Sequence, residues 1–141
     1  MLAQKLQLDI VTWAKQLGWK CENKTDLKYH ALRWLSEVAE LCIACNANIG
    51  DMIGVVLEEH EKAVATGSPI RPHFDDPMDT ASIQEELADS TIQGILFGFA
   101  NFELHNYSTE EAVALKLKTL KKRTHVVSPE GVIYRKKGTP K

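Results

Sequence analysis

The stretch 82–101, SIQEELADSTIQGILFGFAN, constrains this chain more than any other. At 3.6 residues per turn it predicts a helix of about five turns. Glu86 and Asp89 lie three residues apart and share one face of it. Continued by steps of three and four, that face runs through Gln93 to Leu96, Phe97 and Ala100. The other faces carry Leu87, Ile92, Ile95, Phe99 and, just beyond, Phe102. A helix apolar on every side is normally a buried one. Buried carboxylates are rare unless paired or bound to a metal. The acidic pair therefore requires a partner elsewhere in the chain.

Of the helices predicted before it, the second supplies that partner. Over 2–18, Leu2, Leu6, Ile10, Val11, Trp13, Ala14 and Leu17 recur at helical spacing, and Gly18 is a C-terminal stop. Trp13 suits a core or interface position, with stacking on a ligand as its functional alternative. Thr25 or Asp26 can cap a second helix running to about residue 48. It has a broad apolar arc of Leu27, Ala31, Trp34, Leu35, Val38, Leu41, Cys42 and Cys45. Glu37 and Glu40 share the remaining side with Arg33, which taken alone is an ordinary solvent face.

The segment 48–81 reads as an insertion. Apolar spacing predicts a helix over 51–66, ended by Gly67, with EEHEK as its polar side. The loop SPIRPHFDDPMDT follows, with three prolines. Its His73, Asp75, Asp76 and Asp79 match no calcium-loop spacing, so it reads as a solvated acidic loop long enough to act as a lid. Ser82-x-x-Glu85 fits a capping box for the central helix, and Asp79 is a competing cap. Ser108-x-x-Glu111 is a second capping box, starting a helix with acids in its first turn and bases in its last. Lys116, Lys118, Lys121, Lys122 and Arg123 form a local basic cluster.

In the tail, 124–141, two β-branched runs at 125–127 and 132–134 flank Ser-Pro-Glu-Gly, a type I turn sequence. A short C-terminal β-hairpin is expected, and since a lone hairpin is marginal in water it should pack on a neighbour.

At 141 residues, with 44% apolar and 26% charged residues, the chain is sized and composed as one ordinary domain. A net charge of −2 gives no bulk electrostatic case for a nucleic-acid polymer or an anionic membrane. Three cysteines make no disulfide framework, no run reaches the length of a membrane helix and no signal peptide opens the sequence, so a cytoplasmic protein is expected. Cys42-x-x-Cys45 lacks both the βαβ context of a redox motif and the second ligand pair of a zinc site; two small buried helix residues are the better account.

Two helices thus each present an acidic pair at i, i+3: Glu37 with Glu40, and Glu86 with Asp89. Four converging carboxylates repel strongly without counter-charge and so imply a bound cation. Oxygen-only ligands favour Mg²⁺, Mn²⁺ or Ca²⁺ over zinc. A di-iron bundle would use Glu-x-x-His, and neither Glu37 nor Glu86 has a histidine three residues on. Mg²⁺ usually keeps waters and takes substrate phosphates as further ligands, so the pairs beside a basic helix suit a polyphosphate.

These residues carry a resemblance. Leu35-Ser36-Glu37-Val38-Ala39-Glu40-Leu41 and Glu85-Glu86-Leu87-Ala88-Asp89 resemble the two halves of the ExxE…ExxD signature of the MazG-like, all-α nucleoside triphosphate pyrophosphohydrolases. The run from Glu111 to Arg123 is similar to that family's K-x-x-x-N-x-x-R stretch, matched at Lys116 and Arg123. The likeness covers roughly 2–47 and 82–125. It departs in the longer gap between motifs, in Ser36 where an acid is common, and in Leu120 where asparagine is frequent. What it implies is a single all-α domain over 1–141, a four- to five-helix bundle completed by dimerisation, as a homodimer or homotetramer. It implies hydrolysis of a nucleoside triphosphate to a monophosphate and pyrophosphate with Mg²⁺, Mn²⁺ being a substitute. Glu37, Glu40, Glu86 and Asp89 would be the metal ligands, with Glu37 or Glu40 taking the proton of the attacking water. Lys116 and Arg123 would meet phosphate. The family's base-selecting positions vary too much to carry over. It is by their own places on the helices that Gln93, one turn past the acidic pair, and Trp13, as a stacking ring, are the substrate-binding candidates. A phosphoribosyl-ATP pyrophosphohydrolase, or a non-enzymatic helical oligomer that binds a nucleotide or metal, would use the same acids.

Overall fold

A computed structural model describes residues 2–69, 72 and 76–136 of the chain. Among the described residues five helices are followed by a hairpin: α1 (Gln4–Leu17), α2 (Lys24–Ala44), α3 (Ile49–Ala65), α4 (Thr80–His105), α5 (Thr109–Lys121), β1 (His125–Val127) and β2 (Ile133–Arg135). The all-α class with a short antiparallel hairpin is as the sequence leads one to expect. The elements form two compact units, one of Met1–Lys20 with Met78–Lys141 and one of Cys21–Pro77. No helix among the described residues is long and apolar enough to cross a membrane.

Left-handed residues set most of the helix ends. Gly18, at φ 105°, closes α1: its amide donates to the Lys15 carbonyl and that of Trp19 to the Ala14 carbonyl. This is the double bond of a Schellman motif. Gly67, at φ 106°, ends α3 the same way, with Ser68 donating to Ala63. The end of α2 comes earlier than apolar spacing suggests, at Ala44, because Asn46 takes the left-handed role at φ 66°. Ala47 then donates to Cys42, and Asn48 at once caps α3 by accepting the Asp51 amide at 2.9 Å. Asp51 returns the bond to the Asn48 amide at 3.1 Å, completing a capping box. Asn46 serves because its short polar side chain tolerates this conformation better than other non-glycine residues.

The start of α4 differs from expectation. Ser82 and Glu85 do not form its capping box; the helix begins at Thr80, capped by Asp79. The Asp79 carboxylate accepts from the Ser82 amide at 3.1 Å and from the Ser82 hydroxyl at 2.9 Å. A carboxylate is the stronger acceptor at the positive end of a helix, so it outcompetes the hydroxyl. The bond from the Ser82 amide, then that from its hydroxyl, holds the Asp79 carboxyl below the ordinary aspartate pKa. Its contribution to stability is therefore complete above about pH 3.9 and is lost as pH falls through the depressed value. Asp79→Ala should speed amide exchange at Ser82 several-fold, whereas Asp79→Asn keeps an acceptor and should leave exchange near wild type. His73 and Asp75 of the preceding loop lie outside the described residues.

Ser108 caps α5, accepting the Glu111 amide at 3.3 Å, but only this half of the expected capping box forms: the Glu111 side chain does not return a bond to the Ser108 amide. The hairpin pairs Val126 with Tyr134. Its Gly131 amide donates to the Ser128 carbonyl at 2.9 Å, closing a type I turn, and Gly131 itself sits at φ 85°. That left-handed residue after the turn makes the bulge of a three-residue hairpin loop.

The hairpin finds its neighbour in α1 of the same unit. Lys20 donates its amide to the Gly131 carbonyl at 3.2 Å. The Trp13 and His125 rings meet edge to face, with centroids 5.4 Å apart and planes at 80°. The buried apolar residues among those described are Ala14 on α1, Leu117 on α5 and Val132 in the hairpin, the last only 1% exposed. The core of this unit is thus made by α1, α5 and the hairpin.

Helices α2, α3 and α4 bury no residue. On α4, Leu87 and Ile92 are each about half exposed, which corrects the expectation that its all-round apolar character places it inside. Leu35 and Val38 on the apolar arc of α2 are similarly open. Cys42 is half-buried and Cys45 exposed, so neither is the buried small residue anticipated. Cys45 lies past the last helical turn of α2, which removes it from the packed stripe. Patterning identifies an apolar face; it does not supply what covers it.

Candidate functional site

The acidic pairs stand on uninterrupted helices, Glu37 and Glu40 in α2 and Glu86 and Asp89 in α4. All four side chains are exposed. At i, i+3 the members of each pair have Cβ atoms about 5–6 Å apart. Glu37 is engaged: its Oε1 accepts an ion-paired bond from Arg33 Nη2 at 2.6 Å. Arg33 also donates from Nη1 to the Ser36 hydroxyl at 2.8 Å, and that hydroxyl donates to the Arg33 carbonyl at 2.7 Å. Ser36, standing where an acid is common in the resembling family, thus helps to orient the arginine that holds Glu37. Among the described residues, Glu40, Glu86 and Asp89 have neither a hydrogen-bond nor an ion-pair partner.

Among the described residues no three His, Cys, Asp or Glu side chains are gathered as an all-protein metal cage requires. Mg²⁺ does not need one. It is commonly held by one or two carboxylates with water and substrate phosphate completing the octahedron. Glu86 and Asp89, exposed and unpartnered on one helical face, have the donor set for such an ion.

The cationic candidates lie on and after α5. Lys116 is exposed on α5, and Arg123, half-buried, follows its last turn with its amide donating to the Leu120 carbonyl at 3.1 Å. Lys116 lines a cleft of about 350 Å³ between α4 and α5. The three-residue link 106–108 joins the two helices. Gly98 allows the start of α5 to come close, since a Cβ there would stand 2.7 Å from Thr109 Oγ1. Gln93 is exposed on α4, four residues past Asp89, and is not among the residues that line the cleft. Trp13 packs against His125 and is not among the residues that line the cleft.

The sequence reading overlooked the wall residues Gly94, Asn101 and Tyr107. Gly94 and Gly98, four apart on one side of an otherwise bulky helix, were the available signal for a close approach. The contrast with α3 is plain: there Lys62 pairs with Glu58 at 3.4 Å and Glu59 at 3.3 Å, and Glu59 first, then Glu58, raises its pKa. Those acids are already satisfied by a local base, and the candidate ligands on α4 are not. Comparison of the chain with protein-family models, with curated proteins and with solved structures gives no match.

Proposed function

We propose that the protein is a Mg²⁺-dependent nucleoside triphosphate pyrophosphohydrolase that yields a nucleoside monophosphate and pyrophosphate. The observation that carries this reading is the pair of exposed i, i+3 acidic motifs on α2 and α4, three of whose four carboxylates have no partner among the described residues. Acids kept free on long helices, followed by a basic helix, suit a cation and the phosphates it binds. Glu37, Glu40, Glu86 and Asp89 are the ligand candidates. When bound, Mg²⁺ polarises the phosphate and lowers the pKa of a coordinated water. Glu40 is the better candidate for taking that water's proton, because Arg33 holds Glu37. Lys116 and Arg123 neutralise phosphate charge, the planar guanidinium being suited to two parallel bonds.

The open apolar faces of α2, α3 and α4 support association with further copies as a homodimer or homotetramer, since exposed apolar surface of this extent marks an interaction site. The same faces favour one other reading, a helical oligomer whose acids bind a cation without turnover.

A panel of ribo- and deoxyribonucleoside triphosphates with Mg²⁺ separates these readings. Pyrophosphate should appear as the first product, in amounts equal to the monophosphate. Orthophosphate as the primary product would sink cleavage between the α and β phosphates. Cation-dependent stabilisation with no phosphate product of either kind would favour the oligomer.

A further inference from the structure

We propose that the α4–α5 cleft is the nucleoside subsite, and that a nucleotide lies along α4 with its phosphates toward Glu86 and Asp89 and its base toward Tyr107. This assignment rests on the pyrophosphohydrolase reading and adds to it the place and direction of the substrate. The cleft's volume, about 350 Å³, is within the range of small-molecule pockets. Its character changes along its length. Along α4 its wall runs from Gly94, the lining residue nearest the acidic pair in sequence, through Phe97 and Gly98 to Asn101, with Tyr107 from the link and Lys116 from α5 completing it.

Each part has a chemical counterpart in a nucleotide. Phe97 and Tyr107 are 43% and 55% exposed, so their ring faces are open to stacking by a flat base. Asn101 Oδ1 is bonded to His105 Nδ1 at 2.9 Å, which leaves its NH₂ group to donate to a ring acceptor of the base. Lys116 supplies a positive charge at the cleft wall that can meet phosphate. Asp89 and Phe97 are eight residues apart on α4, about 12 Å along the axis. A sugar and its chain of phosphates span a gap of that order, so metal-bound phosphates at one end and a stacked base at the other fit one molecule. Gly94 leaves open space at this wall: a Cβ there would meet nothing within 4 Å, and a larger side chain would enter the cleft.

The test uses the full chain and calorimetric titration with α,β-methylene deoxynucleoside triphosphates in Mg²⁺, which bind without being cleaved. Gly94→Leu fills the cleft with a good helix former, and Tyr107→Ala removes a stacking wall in the link between helices. Each should weaken binding about tenfold or more, with unchanged far-UV circular dichroism. Should Gly94→Leu disturb α4, Tyr107→Ala carries the test alone. If wild type releases pyrophosphate and Tyr107→Ala binds the analogue as wild type does, the base lies elsewhere and the cleft assignment falls while the activity stands. If Tyr107→Ala loses binding but wild type releases no pyrophosphate from any triphosphate, the subsite stands and the activity falls. No binding of any analogue to wild type overturns the subsite outright.

Discussion

Asp89→Asn, and separately Glu86→Gln, should abolish pyrophosphate release while leaving the fold intact. Both side chains are exposed on α4 and have no partner among the described residues, so neutralising them strands no buried group. The effect falls on the cation. Loss of a group that merely supports a metal ligand costs about 10- to 100-fold in affinity or activity, and loss of a ligand should exceed that. Activity below about 1% of wild type, with unchanged thermal unfolding in the absence of Mg²⁺, is the expected result. Full turnover in either variant would show that these acids are surface charges. Arg33→Ala makes a useful contrast: it frees Glu37 from its ion pair without removing a carboxylate, so activity should survive it.

Gly131→Ala should be the most damaging single methyl in the chain. The added Cβ would collide with the Lys20 carbonyl oxygen and side chain, and would stand 2.8 Å from the Lys20 carbonyl carbon. The backbone cannot easily yield, because the Lys20 amide is bonded to the Gly131 carbonyl in the same contact. The left-handed φ of 85° adds about 1–2 kcal/mol of its own for a residue with a Cβ. Displacing the hairpin would also expose Val132, worth roughly 1.5–3 kcal/mol. A loss of about 3 kcal/mol or more is expected in denaturant unfolding, a large part of the stability of a typical domain. Gly67→Ala separates strain from collision: its φ is 106°, but a Cβ there meets nothing within 4 Å. It should cost only the strain, about 1 kcal/mol.

Features that depend on a few neighbouring residues were legible in the sequence. The Gly18 and Gly67 stops, the Ser108 cap and the turn at 128–131 are each decided within one turn of backbone. The acidic pairs were legible for the same reason, since i, i+3 spacing alone puts two side chains on one helical face. The Arg33–Glu37 bond was within reach too, the two residues being i, i+4 on a side already recognised as shared. Competition between local signals was harder to judge. Asp79 and Ser82 are both good caps, and only the stronger acceptor strength of a carboxylate decides between them. Asn46 ended α2 before its apolar pattern ran out, because asparagine's tolerance of positive φ does not show in hydrophobic spacing. Least legible was anything set by the approach of distant segments. The α4–α5 cleft depends on Thr109 reaching Gly98, and the exposure of Leu87 or Leu35 depends on what is absent from those faces. Periodicity carries neither.

The bond between Lys20 and Gly131 has a kinetic consequence. It joins residues about a hundred positions apart, and the unit it belongs to is made of two segments with Cys21–Pro77 between them. Neither segment holds that core alone: Ala14 comes from the first, Leu117 and Val132 from the second. During synthesis α1 must therefore wait, its Trp13 face open, until the hairpin has been made. Contacts so far apart raise contact order and slow folding. Their closure cost grows only with the logarithm of the intervening length, so the middle segment is free to lengthen or shorten at little thermodynamic expense.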